Sequence, residues 1–350
     1  MRVAIEGASL TLSSGGLARY TSELSLALAR CFPQDEYFLI SDQPFTMPGC
    51  APPNLKRGHT PNTSLERRWW IWGITRELER LNAGVVHGPD FAVPYIPTHP
   101  SVLTLHDLSP WMDPEWHADA ERVARRTPVL LELGLATMVI TPSDAVRRQA
   151  IERFRLRPDR VVSVPEAAPP WLKPTEPRAA APYFLFVGTL EPRKNLPLLI
   201  EAWREVRKIH AVELVIAGRR RADCPALAEE PGLRVLGEVA DGDLSDLYSG
   251  ALAVVYPSSY EGFGLPVLEA MQCGSCVIAS RAVEEAAGAA AEYASTAREY
   301  SQAMTAAVEH PEWREERRAL SLARAGEFSW ERTACLTRGV YEEALKRFEH

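Results

Sequence analysis

Two carboxylates eight positions apart, Glu261 and Glu269, bracket Gly262, Phe263, Gly264, Leu265 and Pro266 within the stretch Ser259–Met271. The glycines permit backbone angles and a close approach that a side chain would block. Pro266 suits a first helical turn, where its missing N–H would have no partner in any case. The free N–H groups of such a turn face an incoming anion. With Glu269 about one turn into the helix and Glu261 on the loop before it, both acids reach hydroxyls of one ligand. The chemistry expected is the holding of a phosphorylated sugar. The plainer alternative is a glycine turn with an acid favoured by the helix macrodipole.

Other residues carry compatible chemistry. In Gly188-Thr-Leu-Glu-Pro-Arg193-Lys194-Asn195 two adjacent cations follow a strand. Arg193 can bind two phosphate oxygens and Lys194 supplies a point charge, which suits a diphosphate; otherwise this is a solvated charged turn. Gly15-Gly16, after the first strand, either cradles a phosphate with backbone N–H groups or makes a tight turn. His106-Asp107 closes the run Val102-Leu-Thr-Leu, so the histidine lies at a strand's carboxyl end, the ligand side of an open sheet. Asp107 either orients it or caps the next turn. Cys273-Gly-Ser-Cys276 has redox or half-zinc spacing with no second pair to complete it, and reads as two reduced core thiols. No Ser-His-Asp order, His-Glu-x-x-His or metal cluster is evident, so metal-free chemistry without a cofactor is expected.

The elements that must position these residues alternate. Strands are expected at Val3–Glu6, Tyr37–Ser41, Val85–Gly88, Val102–His106, Met138–Thr141 and Val161–Val164, each followed by a helix-length segment. A second series follows at Tyr183–Gly188, Glu213–Gly218, Leu233–Val239, Ala253–Pro257 and Cys276–Ser280. Between them lies a proline-dense stretch. The organisation expected is a first domain at 1–168, a linker at 169–182, a second domain at 183–328 and a helix at 329–350 returning to the first. Two doubly wound domains would place a ligand between them, at the strands' carboxyl ends. The 350 residues suit two domains, and 46% hydrophobic with 24% charged content is that of a globular chain. A formal charge of −7 argues against nucleic acid as the main partner. No signal peptide or membrane-spanning run is visible, and a cytoplasmic location is expected.

Glu261 to Glu269 in its Glu-Gly-Phe-Gly-Leu-Pro setting, together with Gly188–Asn195, Gly15-Gly16, His106-Asp107 and Leu236–Tyr248, resembles glycosyltransferase family 4, retaining enzymes of the GT-B fold. The resemblance spans nearly the whole chain. It implies that Glu261 binds donor-sugar hydroxyls and Glu269 the nucleotide ribose. Arg193, Lys194 and the amides near Gly264 and Leu265 would hold the diphosphate, which Gly15 and Gly16 approach from the first domain. His106 would lie near the anomeric carbon, and the base would stack by Val239. The donor implied is a nucleotide diphosphate sugar, with GDP-mannose the first choice, and the acceptor a saccharide or lipid-linked saccharide. A GT-B nucleotide-sugar epimerase and a non-catalytic nucleotide-sugar-binding module are the alternatives.

The chain departs from the family pattern at Arg281–Gly288, which is shorter and alanine-rich, and at Pro165–Ala168. Leu65–Leu81 is expected as one helix with Ile71, Ile74, Leu78 and Leu81 on one side and Leu65, Trp69 and Trp72 on the other. With Arg67 and Arg68 adjoining, the second stripe either rests on an anionic membrane surface, the inner face of the plasma membrane, or lines a lipid-linked acceptor site. The plainer alternative is that both stripes are buried between neighbouring elements or in a dimer contact.

Overall fold

Short runs rich in β-branched and aromatic residues, apolar on both faces, become the strands of two all-parallel sheets, the arrangement expected when helices cover both sides. The computed structural model describes residues 1–11, 15–113, 116, 121–176, 181–221, 224 and 227–348. The chain divides into one unit of Met1–Met112, Asp119–Glu166 and Ser329–His350 and another of Asp113–Ala118 and Ala167–Phe328.

In the first unit the chain runs β1 (Arg2–Glu6), α1 (Gly16–Cys31), β2 (Glu36–Ile40), β3 (Leu55–Arg57), a π turn (Trp69–Gly73), α2 (Ile74–Leu81), β4 (Val85–Gly88) and β5 (Ser101–Thr104). It continues with α3 (Glu121–Glu132), β6 (Met138–Thr141), α4 (Asp144–Phe154) and β7 (Val161–Ser163). Sheet order is β3-β2-β1-β4-β5-β6-β7. Val3 pairs with Tyr37 on one side and Val85 on the other. Strand order therefore reverses at β1, the switch point where open α/β sheets bind ligands. Helix α1 buries Tyr20, Leu24 and Leu28, at helical spacing, and leaves Leu17 half-buried.

The second unit repeats the scheme with β8 (Tyr183–Val187), α5 (Leu196–Arg207), β9 (Glu213–Ala217), β10 (Leu233–Gly237), α6 (Asp241–Gly250) and β11 (Ala253–Tyr256). There follow α7 (Leu265–Gln272), β12 (Val277–Ala279), α8 (Glu284–Ala287), β13 (Glu292–Tyr293), α9 (Ala297–Glu309) and α10 (Pro311–Ala325). Sheet order is β10-β9-β8-β11-β12-β13, and the switch point falls between β8 and β11. Gly188 and Pro257 follow those two strands directly. The final helix α11 (Trp330–Phe348) belongs to the first unit. There its Tyr341 hydroxyl meets His87 Nδ1 at 2.8 Å, Thr333 donates to the Pro165 carbonyl at 2.7 Å, and Arg338 Nε reaches Asp35 at 2.7 Å. Residues 349 and 350 lie outside the described residues, as do 177–180 of the proline stretch. Ala168 and Leu172 of that stretch are packed in the second unit's core, and Gln272 Nε2 donates to the carbonyls of Pro169 and Leu172.

Two strands were not expected. The Leu-Lys-Arg of β3 lacks an apolar run and pairs at an edge, and β13 is only two residues long. A third difference is larger: Leu65–Leu81 is not one helix. Gly73 N–H bonds the Arg68 carbonyl at 3.3 Å, an i to i+5 register that shifts the helical period. Trp69 thereby joins Ile74, Leu78 and Leu81 in the core, while Ile71 is 37% and Trp72 44% exposed. The stripe Leu65, Trp69, Trp72 is split, and Ile71 leaves the core stripe. Among the described residues no helix is long and apolar enough to cross a membrane.

The π turn depends on a missing side chain. A Cβ at Gly73 would sit 2.0 Å from the Glu66 carbonyl oxygen. Gly73→Ala should destabilise the first unit by about 2–3 kcal/mol, read as a lowered urea midpoint. An unchanged midpoint would show that an ordinary α-helical register is tolerated here.

Candidate active site

The loop after β8 turns through a 3₁₀ segment, Pro192–Lys194, into α5, with Asn195 in the left-handed region at φ 52°. That turn drives two cations inward. Lys194 is 5% exposed, and its Nζ lies 2.6 Å from Glu261 Oε1 and 2.8 Å from the Tyr256 hydroxyl. Arg193 Nη1 donates to Glu261 Oε2 at 2.9 Å and to the Tyr260 carbonyl at 3.0 Å, while its Nε is 2.6 Å from Glu191. Glu261 thus receives a cation on each oxygen. Burial alone would raise its pKa, but Lys194 and Arg193 outweigh burial and hold it at about 2. Burial also lowers the Lys194 pKa, against the pull of Glu261. The family resemblance allots the acid to the sugar and the cations to the diphosphate; here all three are bound to one another. Each carboxylate oxygen has a second lone pair, and a lysine ammonium has a third donor, so the network keeps capacity for a ligand.

Gly264 starts α7 at φ 106°, where a Cβ would lie 2.7 Å from Val283 Cγ1, and Pro266 occupies the first turn. Gly264 and Leu265 N–H groups meet no acceptor among the described residues. Phe263 is buried edge-on to Phe328 with centroids 5.6 Å apart. Glu269 is only 2% exposed on α7 and accepts from the Tyr248 hydroxyl at 2.9 Å. Gly262 continues the loop beside Glu261. Val239 is half-buried between β10 and α6. The second unit therefore brings Arg193, Lys194 and Glu261 into contact, and sets Gly188 on the loop after β8, Val239 on the loop after β10 and Glu269 on helix α7.

Gly15, Gly16 and His106 belong to the first unit. Gly15 precedes α1 at φ 116°, in the region glycine favours, and both glycines are exposed with open space where a Cβ would be. Ser13 and Ser14 lie outside the described residues. His106 sits beyond the carboxyl end of β5, with Nε2 2.7 Å from the Pro89 carbonyl and Nδ1 3.1 Å from Glu166 Oε1. A carboxylate and a carbonyl both accept, an arrangement that favours the doubly protonated ring. Burial would lower the His106 pKa, but Glu166 and the carbonyl raise it above the usual value. Tyr20 packs edge-on against the ring at 4.7 Å. Asp107 does not orient the histidine: its Oδ1 accepts from Ser109 N and Oγ at 2.9 and 2.6 Å, a turn cap. Beside this group, at the end of β1, Glu6 is 2% exposed and accepts Ala8 N–H on both oxygens, with burial pushing its pKa up to about 8.

Against this geometry, residues 14–170 match the family described as Glycosyltransferase Family 4 and residues 170–316 that described as Glycosyl transferases group 1. The chain is 34% identical over 285 residues to O-antigen chain mannosyltransferase B of Escherichia coli, covering 74% of each protein. The chain belongs to glycosyltransferase family 4. Its fold is GT-B, similar to sucrose-phosphate synthase from Thermosynechococcus elongatus (TM-score 0.76, 18% identity, 98% of each chain). Anabaena HepE in complex with UDP-glucose is also similar (TM-score 0.72, 17% identity, 100% of this chain and 99% of that one).

Sequence reasoning gave no role in this glycosyltransferase to Glu166, Tyr248, Tyr256 or Glu191. The first two act on partners 60 and 21 residues away, and no local spacing announces them. Glu191 stood within the quoted turn, and an acid two residues before buried cations was a usable signal. Trp116 was missed as well; it stacks on Tyr260 at 6.0 Å and accepts from Arg221 through its carbonyl. Cys273 and Cys276 are free thiols in the core, with burial pushing their pKa values up to about 12 and about 11.

The Glu261 pKa is depressed on folding, so its contribution to stability is present above the unfolded value of 4.5 and is lost as pH falls toward about 2. Glu261→Gln should therefore cost about 3 kcal/mol at pH 6, and the difference from the native chain should shrink between pH 4.5 and 2 in urea titrations. A gap independent of pH would mean that the ion pairs do not set it. For His106, Glu166→Gln should move the imidazole titration downward in NMR spectra; an unmoved titration would remove Glu166 as the cause.

Proposed function

We propose that this glycosyltransferase is a retaining, metal-independent hexosyltransferase that moves mannose from GDP-mannose to a saccharide or lipid-linked saccharide acceptor. The observation that carries this reading is the Glu261 network with Arg193 and Lys194 beside the open amides at the start of α7, in a chain 34% identical to a bacterial O-antigen mannosyltransferase. Breaking a sugar–phosphate bond develops positive charge on the ring and negative charge on the leaving diphosphate. Fixed cations and helix-start amides stabilise that negative charge more in the transition state than in the ground state. Arg193, Lys194, Gly264 and Leu265 take this part.

Glu261, fixed by its two cations, accepts from donor-sugar hydroxyls with its remaining lone pairs. Glu269 binds the ribose, Val239 borders the base, and Gly15 and Gly16 contact the phosphates. The acceptor oxygen attacks the anomeric carbon from the face the diphosphate leaves; the C–O bond to phosphate breaks with its electron pair on the phosphate oxygen, which takes the acceptor proton. A protonated His106 near the anomeric carbon favours negative charge on the departing oxygen. The protein works in the cytoplasm, and exposed Trp72 and Ile71 beside Arg67 and Arg68 support peripheral contact with an anionic inner membrane face.

A thermal-shift panel of nucleoside diphosphates and their sugars tests the donor. GDP-mannose at 100 times its Kd should stabilise the native chain by about 2.7 kcal/mol. A response confined to uridine compounds would overturn the donor assignment. With a mannose-terminated acceptor, NMR of the product should show an α linkage and EDTA should leave the rate unchanged; a β linkage would overturn retention. An epimerised sugar formed without acceptor would replace transfer by epimerisation.

A further inference from the structure

At the amino ends of β6 and β7, opposite in the sheet to His106, the first unit holds a cavity of about 640 Å³. That size suits a small-molecule ligand. Four arginines, Arg153, Arg155, Arg157 and Arg160, line it against a single carboxylate, Glu132. In a chain of net charge −7 such a concentration runs against the average.

Arg157 is engaged with Asp159 at 2.9 Å, and Asp159 is shared with Arg347 at 2.8 Å. The other three are not neutralised. Among the described residues Arg153, Arg155 and Arg160 make no ion pair, and the Nε of Arg160 is buried without a hydrogen-bond partner. The carboxyl end of α4 draws Arg153 and the left-handed Arg155 through its dipole. Arg157 and Arg160 stand beyond that helix, and the dipole does not explain their convergence. Like charges gathered around a cavity repel unless an anion enters, and guanidinium forks match phosphate oxygens in pairs. The floor is apolar, formed by Leu131, Val139 and Phe154.

We propose that this cavity is a second anion site, distinct from the donor site, which takes the phosphate group of a ligand with an apolar or planar body. A free nucleotide or sugar phosphate and a phospholipid headgroup share that chemistry. None of the residues invoked belongs to the transfer machinery.

The test is calorimetric titration of the full chain with inorganic pyrophosphate after the donor site is filled with the nucleoside diphosphate that most raises its melting temperature. One further site is expected. Its affinity should weaken at least tenfold in Arg155→Ala/Arg160→Ala, with kcat/KM for transfer within twofold of the native value. Arg155 is exposed, so Arg155→Ala alone serves if the double variant folds poorly. No binding beyond the donor site, or equal affinity in native and variant chains, would overturn the proposal. Sedimentation with phosphatidylcholine vesicles containing phosphatidylglycerol separates the sources. Binding that is lost in the variant and competed by pyrophosphate assigns a headgroup, whereas a pyrophosphate site without vesicle binding assigns a free phosphorylated molecule.

Discussion

Burying Glu261 between Arg193 and Lys194 is the constraint around which the second unit is arranged. A buried charge is tolerable only with close partners, and loss of one partner strands the others. Every surrounding feature answers that demand. The adjacency of β8 and β11 brings the two loops together, the 3₁₀ turn points both cations inward, Glu191 balances the second cation, and Tyr256 fills a further place around the ammonium.

The first unit solves a smaller version of the same problem. Glu166 and the Pro89 carbonyl favour the protonated form of His106 against the cost of burial, and Tyr20 packs edge-on against the ring. Glu6, close by and without a cation on its oxygens, responds in the opposite way and retains its proton near neutrality. For Glu6 burial outweighs the two hydrogen bonds from Ala8 N–H, which favour the ionised form.

Much of this architecture was legible in the sequence because parallel strands covered on both faces are written as continuous apolar runs. The turn from Glu261 to Glu269 was legible as a helix start because two glycines followed by a proline leave few other structural meanings. Legibility failed where structure depended on contacts across the chain or on a changed period. Glu166 lies in a proline-rich segment and shows its purpose only when folded beside His106. Trp69 and Trp72 read as neighbours on an α-helical face, and one i to i+5 bond at Gly73 separates them. The Leu-Lys-Arg of β3 becomes a strand only because β2 offers an open edge.

Helix α11 bears on how the protein is made. Its Tyr341 bonds His87 across 254 positions, and Arg338 reaches Asp35 across 303. A ribosome delivers residues from the amino end, so the first sheet must wait for the last helix while the span Ala167–Phe328 emerges complete before it. The order of completion is thereby inverted relative to synthesis: the first unit has all its strands early, but the second unit has its last helix before the first unit receives α11. Until α11 emerges, the buried partners of Tyr341, Thr333 and Arg338 in the first unit stay uncovered, the kind of exposed surface that invites misassembly during synthesis.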